Sequence, residues 1–186
     1  MSSFGKEVVL EMNRLGVFID LAHVSSETMR NALEWTRSPV IFSHSNAKSV
    51  WNSSRNAPDD VFEMLKINRG LVMVNSYPGF VGDFSEVTKS HSGSVTDKSM
   101  DDLIKHILYI RELIGSEFIG VGCDFDGIET VLNDFQDVSV YKVLFEKLGE
   151  EYGLSDEEIL GIKGGNFLRV MREMEEVSKE MQAAGI

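Results

Sequence analysis

Val17–His23 (VFIDLAH), Pro39–His44 (PVIFSH) and Gly122–Gly127 (GCDFDG) are the stretches whose reading decides the fold. The first two are short apolar runs that each end in a histidine. The third closes a similar run, Glu117–Gly122, with two aspartates, and Leu71–Asn75 (LVMVN) supplies a fourth run bounded by Gly70. Short, nearly continuous apolar runs are what strands covered on both faces look like. Each pair is separated by a helical pattern, so the chain reads as four βα units of parallel α/β structure. Eight units close a barrel of TIM type; four make half of one.

The helical patterns lie at about Phe4–Leu15, with Phe4, Val8, Val9, Met12 and Leu15 on one face, and at about Ser26–Thr36, capped by Ser25 or Ser26. A third is opened by Pro58-Asp59-Asp60, where proline and acids suit a first helical turn. Others follow over Asp101–Ile114, about Tyr141–Tyr152, Ser155–Gly161 with an S-x-x-E capping box, and from about Asn166 onward. Residues 78–100 are polar and rich in Ser and Gly, and are expected to be a long flexible βα loop. The whole of 1–186 reads as a single domain with ordinary globular composition.

Eighteen basic against 30 acidic side chains give a net charge of −12. Such a surface repels phosphate backbones and anionic lipid, which argues against nucleic acid and polybasic membrane docking. A single cysteine, Cys123, allows no intrachain disulfide, and no apolar run approaches the roughly 20 residues of a membrane-spanning helix. Compartment is left open.

A histidine or aspartate at the carboxyl end of successive parallel strands aims ligands at a common mouth, the arrangement of metal-dependent barrel hydrolases. His23 and His44 occupy equivalent ends of neighbouring strands, about 4.8 Å apart, and neutral imidazole is the usual zinc ligand. Spacing alone leaves joint ligation and plain strand-end capping evenly matched. Asp126 reads as a turn residue, Asp59 and Asp60 as first-turn helix residues, and His91 and His106 as non-ligands. Asp20 reads equally as a structural hydrogen-bonding group or as one that orients a ligand.

GVFIDLAHVSSETM, PVIFSHSNAKSVWNSSRNAPDD, GVGCDFDGIE and GGNFLRVM, in that order along nearly the whole chain, closely resemble the membrane (renal) dipeptidase family of zinc peptidases. The resemblance implies a (β/α)₈ barrel carrying two zinc ions, of which this chain is the C-terminal half. It implies that His23 and His44 are ligands of one zinc, that Asp124 is the catalytic carboxylate beside the reacting water, and that Arg55 grips the terminal carboxylate of a dipeptide. The family's H-x-D strand and bridging carboxylate have no counterpart here, so the ligands of the other zinc are expected to come from outside this chain. The implied partners are the dipeptide and an N-terminal half of the barrel, or a second copy of the chain. The expected consequence is a polypeptide that self-associates, is marginally stable or depends on another chain. The alternative is a non-catalytic remnant or truncated product acting, if at all, as an interaction subunit.

Overall fold

The structure, a computed structural model, describes residues 1–83, 87–90 and 93–185. In chain order the elements are α1 (Ser3–Leu15), α2 (Ser26–Trp35), β1 (Ile41–Phe42), α3 (Asp59–Asn68), β2 (Leu71–Val74), α4 (Pro78–Val81), β3 (Val87–Ser90) and β4 (Gly93–Thr96). They continue with α5 (Met100–Ile114), β5 (Ile119–Val121), β6 (Thr130–Val131), α6 (Tyr141–Glu150), α7 (Asp156–Leu160) and α8 (Asn166–Ala183).

Strands β1, β2 and β5 form a parallel sheet in that order, with Ile41 opposite Leu71 and Val72 opposite Ile119. The run 17–22 joins as a fourth member through one parallel bridge between Asp20 and Ile41. Leu21 N–H donates to the Ile41 carbonyl at 2.8 Å, and Ile41 N–H to that of Ile19 at 3.0 Å. It is shorter as a strand than the sequence suggests, because only one side of it is paired among the described residues. The protein is thus an α/β structure built on a parallel sheet.

Side chains alternate across this sheet, as strand geometry requires. Ile19, Leu21, Phe42, Val72, Val74 and Ile119 enter the main core under α2, α3 and α5, with Phe42 and Phe62 fully buried. Phe18, Ile41, Leu71 and Met73 point to the opposite face, where Phe167 and Val170 of α8 cover them at the amino end of the strands; the Phe18 and Phe167 rings lie 5.5 Å apart. Arg169 secures that end by donating to the carbonyls of Arg69 at 2.7 Å and Glu117 at 3.0 Å. The carboxyl end of the same face is left uncovered by α8, and His23, His44 and Asp124 stand there.

Two expectations need revision. Only Val9 and Asn13 of α1 are buried, while Phe4, Val8 and Leu15 of its apolar stripe are exposed. The helix turns Asn13 inward because the Asn13 side-chain oxygen accepts from Arg37 N–H at 2.8 Å and from the Thr36 hydroxyl at 3.2 Å. The polar stretch after β2 also holds more secondary structure than its composition suggests. It carries α4 and the antiparallel pair β3–β4, with β4 continuing parallel onto β6. Its His91, read as a non-ligand, lies outside the described residues. The Ser155–Glu158 capping box forms as the sequence indicates.

Candidate metal centre

Two strand ends and one tight turn build the site. His44 lies two residues past the carboxyl end of β1, and His23 ends the neighbouring extended run in the left-handed region at φ 64°. Their Nε2 atoms face each other at 2.7 Å, with ring centroids 4.7 Å apart. Asp124, at the turn after β5, also has a left-handed backbone, φ 57°, and its Oδ2 lies 3.7 Å from His44 Nε2. Left-handed backbone at a residue other than glycine is uncommon and clusters where surrounding structure enforces a geometry for function. Gly127 permits the Asp124 carboxyl to fold back over its own turn: a Cβ there would meet that group at 2.6–2.8 Å.

Asp20 ties the histidine-bearing segments together. Its Oδ1 accepts from Ala22 N–H and from Ser43 N–H, each at 3.0 Å, and its Oδ2 accepts from the Ser43 hydroxyl at 2.5 Å. Ser43 Oγ in turn meets His44 Nδ1 at 2.8 Å. Asp20 thus makes structural hydrogen bonds and, through Ser43, reaches His44. Ser43 is a site residue that sequence reasoning missed, although strand alternation places it on the same face as Asp20.

Arg55 stands in the loop before α3, with its guanidinium carbon 5.0 Å from the centre of the Phe80 ring. Both terminal nitrogens are buried and have no hydrogen-bond partner among the described residues. Burial pushes this guanidinium below its ordinary pKa, opposed by the charges of Asp124 and Asp20. The backbone of Phe80 is pinned there, since its carbonyl accepts from Asn56 Nδ2 at 2.9 Å and Asn46 Nδ2 at 3.3 Å, and the Trp51 indole donates to Gly79 at 3.1 Å. Phe80 too escaped the sequence reading. Its signal is an aromatic pair, Tyr77 and Phe80, inside a polar stretch.

Burial lowers the His44 pKa first. Asp124 and Asp20 oppose that shift, and His23 and Arg55 add to it. The remaining candidates go elsewhere. His106 is fully buried in α5, where its Nδ1 accepts from Ala47 N–H at 3.1 Å and its Nε2 faces the Val81 carbonyl at 3.3 Å. Asp59 accepts from Tyr109 at 2.7 Å, and Asp60 pairs with Arg30 at 2.6 Å.

The ligand atoms of His23, His44 and Asp124 all lie within 4.8 Å of one another. Two nitrogen donors and a carboxylate suit zinc or a similar divalent ion. The 2.7 Å between the two Nε2 atoms is a hydrogen-bond distance that a proton on one ring satisfies, and the same two nitrogens are the donors that a bound ion would draw on. The residues present fit such an ion.

The family model for membrane dipeptidase (peptidase family M19) matches residues 1–185. An uncharacterized dipeptidase of Schizosaccharomyces pombe is 43% identical over 178 residues, covering 95% of this chain and 41% of its own length. The chain thus spans about two-fifths of the length of the curated relatives it matches. Among solved structures, the probable dipeptidase PvdM from Pseudomonas aeruginosa superposes with a TM-score of 0.85 at 21% identity, over 95% of this chain and 55% of that one. A metallopeptidase from Rhodobacter sphaeroides, liganded with a phosphinate mimic of the dipeptide L-Ala-D-Ala, superposes with a TM-score of 0.80 at 21% identity, over 93% and 47%. At these identities the superpositions establish the fold alone, and the match of the family model over residues 1–185 establishes membership: the chain belongs to the membrane dipeptidase family.

Proposed function

We propose that this chain is the C-terminal arc of a (β/α) barrel and works in zinc-dependent hydrolysis of dipeptides, together with an N-terminal half supplied by another chain, a longer product or a second copy. The observation that carries the reading is the convergence of His23, His44 and Asp124 beside a guanidinium whose buried terminal nitrogens are unengaged among the described residues. The dipeptide mimic held by the Rhodobacter relative supports the substrate class.

His23 and His44 would hold one ion through Nε2. The ligands of the second ion, in this reading, lie outside the chain. When bound, the ions supply Lewis acidity, making water acidic enough to ionise near neutral pH and offsetting negative charge on the reacting carbonyl oxygen. Asp124 takes the proton of the attacking water and delivers it to the departing amine. Arg55 grips the substrate's C-terminal carboxylate through its two terminal nitrogens, fixing register one residue from the scissile bond. Phe80 supports the guanidinium plane from below.

The test is complementation. Zinc content and dipeptide hydrolysis are measured for the 186-residue chain alone and after addition of the N-terminal half of a relative. We expect little metal and no turnover alone, turnover on complementation, and its loss with Asp124→Ala or His23→Ala. Complemented protein that hydrolyses dipeptides equally well without His23 and Asp124 would overturn the assignment.

A further inference from the structure

A neutral imidazole has one protonated and one bare nitrogen. For His44, that choice decides whether a lone pair or an N–H faces His23 and Asp124. The hydrogen bonds around Ser43 make it. The Ser43 hydroxyl has one proton, and Asp20 Oδ2, a carboxylate oxygen that only accepts, stands 2.5 Å away to receive it. Ser43 Oγ therefore offers a lone pair to His44 Nδ1 at 2.8 Å, so Nδ1 carries the ring proton and Nε2 is bare.

The geometry points to Asp20 as a positioning residue that, through Ser43, locks His44 in the Nδ1–H tautomer and keeps the Nε2 lone pair aimed at the metal centre. The use of that lone pair rests on the metal-centre reading above, while the lock itself does not. One carboxylate does two things here. Its Oδ1 joins the His23-bearing run to the His44-bearing strand end through Ala22 N–H and Ser43 N–H, and its Oδ2 sets the tautomer. A second consequence concerns His23. Its Nε2 lies 2.7 Å from the bare Nε2 of His44, so in metal-free protein the proton between the rings belongs to His23.

Nitrogen-15 NMR of the metal-free, full 186-residue chain reads this directly, at about pH 8, above the ordinary imidazole pKa of about 6.5. We expect His44 with a protonated, pyrrole-like Nδ1 and a bare, pyridine-like Nε2, and His23 with a protonated Nε2. Asp20→Asn should reverse both rings. The new amide must keep its oxygen on the two backbone N–H groups, so its NH2 takes the Oδ2 position and donates to Ser43. The Ser43 proton then turns to His44 Nδ1, and the ring proton moves to Nε2. Ser43→Ala should release the lock and leave His44 as a tautomer mixture, and Ser43→Thr should restore it, which keeps the test available if Asp20→Asn does not fold. A parent His44 protonated on Nε2, or a His44 unchanged by Ser43→Ala, overturns the proposal.

Zinc titration against a competing chelator separates the two readings. A tenfold to hundredfold weaker affinity in Asp20→Asn, about the range typical for groups that orient a ligand, accompanies the reversal if the centre binds metal. Tautomers that behave as stated in protein that takes up no zinc, even when complemented, uphold the lock and count against the metal centre.

Discussion

Gly122 lies so close to Ser43 that a Cβ on it would stand 1.9 Å from the Ser43 carbonyl oxygen. The missing side chain allows the turn that carries Asp124 to approach the strand end that carries His44, while Gly122 N–H donates to the Val74 carbonyl at 2.9 Å. Backbone, not a flexible side-chain tip, is what a methyl group would strike. Gly122→Ala is therefore expected to cost about 1–3 kcal/mol, the range for overpacking a well-packed interior, and to separate Asp124 from His44. Urea denaturation checks the first part; an unchanged midpoint would show that the strands can part freely.

His106 offers a pH test independent of the metal centre. Burial pushes its pKa down to about 4 from an ordinary 6.5, and its Nδ1 must stay unprotonated to accept from Ala47 N–H. The unfolded chain binds the proton first on acidification. Stability from this group is thus complete above about pH 6.5 and is lost as pH falls toward about 4, by about 3 kcal/mol in total at 1.36 kcal/mol per unit. Denaturant midpoints across that window should fall, and less so in His106→Gln, which keeps an acceptor without titrating. Equal slopes in the two proteins would contradict this.

Arg55→Lys tests recognition of the substrate's carboxylate. Lysine keeps the charge but loses the planar pair of donors. In complemented protein the expected effect is a KM raised about tenfold to hundredfold, equivalent to about 1.4–2.8 kcal/mol, with a smaller effect from Phe80→Leu, which removes only the ring beneath the guanidinium. A KM unmoved by Arg55→Lys would mean that the carboxylate is bound elsewhere.

Much of this was legible in the sequence, for identifiable reasons. The runs LVMVN and EFIGVG are apolar and short, so strands were readable; the Ser155–Glu158 box and the acids after Pro58 marked helix starts by chemistry that needs no tertiary context. His23, His44 and Asp124 stood out because each ends an apolar run. What stayed hidden depends on contacts between distant segments. Nothing local tells that Ser43 bonds Asp20 across 23 residues, or that Phe80 sits beneath Arg55. The β3–β4 pair was hidden by its polar composition, and the outward turn of Phe4 and Leu15 by the burial of Asn13, which the apolar periodicity of α1 gives no reason to expect.

The most direct test of the metal centre is anomalous diffraction at the zinc edge from crystals of zinc-loaded, complemented protein. We expect a peak bonded to Nε2 of both His23 and His44, beside the Asp124 carboxylate. Zinc bound only at sites remote from these imidazoles, with His23 and His44 still paired to each other, would contradict it.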